Sequence, residues 1–179
     1  NVISKGILVN KHGLRFIEED AGRDELATAI QAQEDGFVYS IVDDDYSRDD
    51  EEREFLQGLI LMGHVKKADT IEELAELLDM NPNVLKKTIA DYNYAVECKN
   101  DSQFHRLTLD NKIDNPPYYA NAKTVTVHQT LGGVEINENT QVLDKKGNII
   151  KGLFACGEVT GGIHGANRLG GNSFPDSIV

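Results

Sequence analysis

Apolar residues open the chain in a short run, Gly6–Asn10, which Lys11-His12-Gly13 interrupts and Leu14–Ile17 resumes. That pattern predicts a β-hairpin with a glycine-containing turn. Asp20-Ala21-Gly22-Arg23 breaks it, and good helix formers from Asp24 to Gln33 then place Leu26, Ala29 and Ile30 on one face. Arg23 therefore falls at or just before a helix N-terminus. Gly36–Val42 (GFVYSIV) is β-branched and aromatic and predicts a strand. Ser47 is the N-cap candidate for a helix through Glu54, Phe55, Leu59 and Leu61, which Gly58 weakens. Thr70-Ile71-Glu72-Glu73 has the form of a capping box, followed by Leu74, Leu77 and Leu78. Asn81-Pro82 supplies cap and N1 proline to a further helix, with Leu85, Ile89, Tyr92 and Val96 along one side.

After Lys99 the helical period ends, and Asp101–Pro117 reads as an irregular connection in which Pro116-Pro117 forbids helix. Lys123–Thr130 (KTVTVHQT) alternates like a strand, and Val134–Ile136 and Gln141–Leu143 follow. Asp144–Asn148 is a turn leading to Ile149-Ile150, and Gly152–Cys156 (GLFAC) predicts a short buried strand entering the glycine-rich Gly157–Gly171. The expected architecture is α+β: a helical body over residues 11–120 and a β-rich, glycine-rich tail.

With 179 residues, 40% of them hydrophobic, the chain can bury a core as one domain or one domain plus a piece of another. A net charge of −12 opposes nucleic acid and anionic lipid as partners. Asp43–Asp45 and Asp49–Glu52 read as solvated surface rather than a metal cage, and no metal site is expected. Cys98 and Cys156 form no CxxC or CxxCH motif, which leaves out haem and zinc, and both read as packed thiols. Asn1-Val2-Ile3-Ser4 lacks the features of a signal peptide, the missing initiator Met fits a truncated chain, and no apolar run reaches the ~20 residues of a membrane span.

Glycines crowd the segment from Gly152 to Gly171, where they let backbone amides approach a ligand and adopt positive φ. A glycine-rich turn after a strand is a weak signal alone, and Glu158, His164, Asn167 and Arg168 within it strengthen the signal. A carboxylate after a strand can accept from ribityl or ribose hydroxyls, and an arginine among glycines presents a rigid fork to a carboxylate.

His128-Gln129-Thr130-Leu131-Gly132-Gly133, then GLFACGEVTGG, then HGANRLGGNS resemble, in order and spacing, three motifs of the fumarate reductase and succinate dehydrogenase flavoprotein superfamily. The similarity is nearest its soluble fumarate reductase, flavocytochrome c and urocanate reductase branch. LVNKHGLRFIEEDAGRD, DSQFHR and NPPYYA resemble further segments of the same family, so the likeness covers nearly the whole chain. It implies a substrate-capping domain over residues 1–127 and a truncated C-terminal segment of the FAD-binding domain over 128–179, with the Rossmann start absent.

The resemblance further implies that FAD is the cofactor of the full-length parent, and that this fragment neither retains FAD nor turns over alone. Arg23 matches the family's proton donor to substrate, and His128 and Arg168 match groups that hold a substrate carboxylate. Gln129, Gly157, Glu158, Gly170, Gly171, Asn172 and Ser173 match positions lining the flavin. Where the family carries a relay arginine stands Val2, with Lys5 the nearest cation. The implied reaction reduces the C=C of a small unsaturated dicarboxylate of the fumarate type, with an electron-donor domain or protein as partner. Urocanate, acrylate or a bulkier acid are alternatives, as is a non-catalytic interaction module that keeps the fold. The parent's compartment stays open, the cytoplasm being favoured over the periplasm or cell surface.

Overall fold

The computed structural model describes residues 6–46, 49–127, 129–165, 168 and 171–178. The chain separates into two compact units, Asn1–Val125 and Thr126–Val179. The mixed helix and sheet content is that of the expected α+β class.

The first unit holds strands β1 (Ile7–Val9), β2 (Phe37–Val42), β3 (Val65–Ala68) and β4 (Tyr118–Thr124) in one antiparallel sheet, ordered β1-β2-β4-β3. Helices α1 (Arg23–Gln31), α2 (Asp50–Leu61), α3 (Ile71–Leu77) and α4 (Pro82–Cys98) surround it. Alternation along the strands decides which helix meets which face. Ile7, Val9, Ile41, Tyr118 and Ala120 pack with Leu74, Leu85, Ile89 and Tyr92 of α3 and α4. Leu8 and Val38 point the other way, onto Leu26 and Ile30 of α1, and Val42, Val65 and Tyr119 meet Leu56 of α2. The sheet is thus covered on both faces.

Local signals account for most of these elements. The Thr70 hydroxyl accepts from Glu73 N at 3.1 Å while the Glu73 carboxylate accepts from Thr70 N at 3.2 Å, closing the capping box of α3. Asn81 caps α4 through Asn83 N at 3.0 Å with Pro82 behind it. For α2 the cap is Asp49, which accepts from Glu52 N at 2.8 Å. Ser47, the expected cap, lies outside the described residues.

Several expectations are corrected. Leu14–Ile17 is no strand, and β1 pairs with β2 instead. The reason is chemical: the Asn10 carboxamide oxygen takes the His12 and Leu14 amides, and the would-be second arm turns Arg15 into the interior. The final strand of the first unit is Tyr118–Thr124 rather than Lys123–Thr130. As an inner strand it buries Tyr118, Tyr119 and Ala120 in succession, a run that alternation does not reveal. Asp43 is no surface carboxylate: it is buried, and its Oδ2 accepts from Asp114 N and Asn115 N at 3.0 Å each. It fastens the 101–117 connection to the end of β2, and burial pushes its pKa up despite those amides.

The second unit contains strands β5 (Gln141–Leu143) and β6 (Ile149–Phe154), an antiparallel ribbon joined by the expected turn, and helix α5 (Ser173–Ile178). Of the expected GLFAC strand, Gly152–Phe154 close a β6 that begins at Ile149 and is exposed along its length, not buried, and Ala155 and Cys156 lie past its end. Cys98 and Cys156 are likewise exposed rather than packed. Of the second unit's described hydrophobic residues only Val142 is buried.

Candidate functional site

Arg23 is the first residue of α1. The Gly22 carbonyl accepts from Leu26 N at 2.9 Å, and Glu25 turns back to accept from Gly22 N at 3.3 Å, which starts the helix without a side-chain cap at Gly22. Leu26 and Ile30 face the sheet, so Arg23 stands on the exposed side, its side chain making no hydrogen bond or ion pair to another described residue.

The residues just before Arg23 are held by a buried charge network. Glu19 Oε1 accepts from Leu8 N at 3.1 Å and Arg15 Nε at 3.0 Å, and its Oε2 accepts from Arg15 Nη2 at 2.7 Å and Arg106 Nη1 at 3.2 Å. All four lone-pair directions of the carboxylate are thereby occupied. Arg15 also donates to Asp101 Oδ2 at 2.9 Å, and both guanidinium groups lie 5.3 Å from the Tyr92 ring centroid. Burial works against the Arg15 charge, but the bonds and charges of Glu19 and Asp101 prevail and raise its pKa. Arg106 further donates to the Gly6 carbonyl at 2.6 Å and, through Nε, to the Thr108 carbonyl at 2.9 Å. Asp20 Oδ2 accepts from Thr108 N at 2.8 Å and from the Thr108 hydroxyl. None of Arg15, Glu19, Asp101 or Arg106 figures among the sequence-predicted site residues. The available signal was the pairing of Arg15 and Glu19 in one family-like segment with Asp101 and Arg106 in the other.

In the second unit two of the glycine-bearing motifs meet. Thr130 N donates to Glu158 Oε1 at 3.0 Å, Val134 N to the Val159 carbonyl at 2.9 Å, and Gly161 N back to the Val134 carbonyl at 3.0 Å. The crossing leaves no room for side chains: a Cβ at Gly133 would lie 2.2 Å from the Val159 oxygen, and one at Gly161 2.6 Å from Gly133 N. These two glycines serve chain-to-chain contact rather than a ligand. By contrast Gly162 and Gly171, at φ +90° and +89°, have open space where a Cβ would be. Beside them a cleft of about 620 Å³ is lined by Gly157, Thr160, Ile163, His164, Asn172 and Pro175.

Of the expected residues, Arg168 and Gly157 are buried, Gln129 is half-buried, and Glu158, Gly171 and Asn172 are exposed. Ser173 begins α5. Gly157 and Asn172 share the cleft, and Glu158 has one oxygen committed to Thr130. Arg23 belongs to the first unit and the other described candidates to the second. His128 and Gly170 lie outside the described residues, as do Val2, Lys5 and Asn167. Among the described residues no cluster of His, Cys, Asp and Glu could hold a metal ion, and no helix is long and apolar enough to cross a membrane. A second cavity, about 300 Å³ between α2 and the sheet, carries none of the expected residues. Tyr119 on its wall is pushed up to about 12 by burial and by its hydrogen bond to Asp44.

A family model described as "FAD binding domain" matches residues 4–174. The chain is 41% identical over 177 residues to an NADH:acrylate oxidoreductase of Vibrio harveyi, covering 95% of this chain and 17% of that protein. It is 36% identical over 180 residues to a urocanate reductase of Eggerthella lenta, covering 98% of this chain and 30% of the relative. Among solved structures, the open conformation of a flavocytochrome c3 fumarate reductase superposes with a TM-score of 0.77 at 39% identity, over 99% of this chain and 31% of the other.

Proposed function

The chain belongs to the FAD-binding-domain family of flavoproteins, and from that premise we propose that it supplies the substrate-capping region and a flavin-contacting segment of a reductase acting on the C=C of a small unsaturated carboxylate. The capping region corresponds to residues 1–127 and the flavin-contacting segment to 128–179. The observation that carries the reading is the junction of the 130–134 and 157–161 segments beside a glycine-edged cleft, with Arg168 buried in the same unit.

The residues present fit FAD. Gly162 and Gly171 hold left-handed backbone with open space where a Cβ would be, which lets a ligand approach the main chain, and Glu158 keeps one carboxylate oxygen uncommitted by Thr130. Gln129, Gly157, Glu158, Gly170, Gly171, Asn172 and Ser173 are the residues assigned to hold the flavin. When bound, the flavin supplies hydride from N5. The chain's own side chains do the rest. Arg168 and His128 hold a substrate carboxylate and stabilise the negative charge that develops there as the alkene is reduced. Arg23 delivers the proton to the other carbon. A guanidinium is a weak acid, so this role calls for a site closed to water and for reprotonation between turnovers.

Fumarate is the first substrate to test. Acrylate and urocanate offer the same carboxylate to the same grip, and likeness to their reductases keeps both in the panel. The test is anaerobic oxidation of reduced viologen by the full-length flavoprotein with fumarate, acrylate, urocanate and longer unsaturated acids. Turnover of at least one acid, lost when Arg23 or Arg168 becomes alanine, is the expected result. Flavin reoxidation by none of them would favour a non-catalytic module.

A further inference from the structure

The Arg23 side chain makes no hydrogen bond or ion pair with another described residue, yet a proton donor must be aimed. Its place is set through the backbone, from two sides. Behind it, Leu26 and Ile30 seat α1 on Leu8 and Val38. That apolar stripe fixes the helix axis, and the partly buried Ala21 packs against the same cluster just ahead of the cap. In front of it lies Asp20, whose Oδ2 takes both the amide and the hydroxyl of Thr108, a residue 88 positions away. Arg106 joins this clasp to the buried core, since its Nε donates to the Thr108 carbonyl and its Nη1 to Glu19. Glu19, Arg106, Thr108 and Asp20 thus close a ring that ends two residues short of the helix cap. Burial acts to raise the Asp20 pKa, but Thr108 and the Arg106 charge outweigh it and hold the carboxyl below its usual range, so the clasp is ionic at neutral pH.

Glu19 and Arg106 of this ring are buried, and Asp20 and Thr108 are exposed. Such a ring is a poor way to stabilise a fold, since desolvation offsets most of the attraction inside and solvent screens it outside. Its physical merit here is geometric definition. We infer that Asp20, clasped by Thr108, is a positioning residue that fixes the N-terminus of α1 and so aims Arg23 at the substrate. The inference rests on the proton-donor reading of Arg23.

The test uses the full-length holoenzyme, with Arg23→Ala, Arg23→Lys, Asp20→Ala, Thr108→Val and the double variant Asp20→Ala/Arg23→Lys. Arg23→Ala reports on the functional reading alone: near-normal turnover there would overturn the donor role and this inference together. If Arg23→Ala is inactive, Asp20→Ala should lower kcat roughly 10- to 100-fold, as expected for a donor displaced by about an ångström. KM and the flavin spectrum should stay put, and the solvent deuterium isotope effect on kcat should rise because proton delivery has become slower. In the Arg23→Lys background the same substitution should cost much less, since it acts through a fork no longer present. Thr108→Val removes only the hydroxyl and should show the same pattern at smaller size, which keeps the question open to decision if Asp20→Ala folds poorly. Unchanged kcat in both Asp20→Ala and Thr108→Val, or equal losses with and without Arg23 and no change in isotope effect, would overturn the positioning role while leaving the donor reading intact.

Discussion

The two arginines proposed for the reaction differ in exposure, Arg23 exposed at a helix start and Arg168 buried. Their variants should therefore fail differently. Arg168→Ala removes a charge-assisted carboxylate grip worth roughly 1.5–3 kcal/mol, and steady-state kinetics of the full-length enzyme should show it mainly as a raised KM. Arg23→Ala should abolish kcat and leave substrate affinity nearly intact, because the proton is needed only in the transition state. Asp101 offers a test in the isolated chain. Burial acts to raise its pKa, but its bond to Arg15 and the amides of Phe104 and Gln103 outweigh this and hold it below the usual carboxylate range. A folded pKa below the unfolded one means that its stabilisation is complete above about pH 4 and is lost as the pH falls through the folded value. Urea unfolding between neutral pH and about pH 3 should show an acid-side loss of stability that is flattened in Asp101→Asn.

At the scale of elements, the sequence is most legible where one short motif decides the outcome. The capping box at Thr70 and the Asn81-Pro82 start predict α3 and α4 because each answers a local demand for backbone partners. Thr70→Ala should cost about 1 kcal/mol in urea unfolding, and Thr70→Ser should restore most of it. Where long-range pairing decides, local reading fails. Leu14–Ile17 has the composition of a strand, but Glu19 takes the Leu8 amide and Arg15 is drawn inward to Glu19 and Asp101, so no second hairpin arm forms. Tyr118-Tyr119-Ala120 shows no alternation because β4 is paired on both sides and covered on both faces. At the candidate site, glycine density signals close backbone approach without saying to what. Gly133 and Gly161 answer to each other's chain segments, while Gly162 and Gly171 border open space.

The whole molecule is uneven. Every buried hydrophobic cluster among the described residues draws its members from the first unit. The second unit instead exposes Ile149, Leu153 and Phe154 along β6, and its ordering depends on turns and on the crossing at Gly133 and Gly161. Hydrogen exchange on this chain should accordingly show lasting protection in β1, β2, β4 and α4 and rapid exchange across 157–171, where chain entropy has little apolar burial to offset it. Strong protection of the glycine segment would mean that the ribbon has found a cover.

The strand order of the first unit also sets a timetable for biosynthesis. β3 pairs only with β4, and β4 is what joins β3 to β2, through registers such as Lys67 with Tyr119 and Ile41 with Ala120. A ribosome-bound chain that has extruded everything through Asn115 holds β1, β2, β3 and helices α1 to α4 of that unit, yet its sheet lacks β4, one of its two inner strands. Helices formed by then have half a surface to rest on, and the unit must wait, apolar faces uncovered, for its last strand to emerge. Arrested nascent chains ending near residue 115 should be cleaved readily by protease, and those with residues 118–124 clear of the exit tunnel should become resistant in a single step.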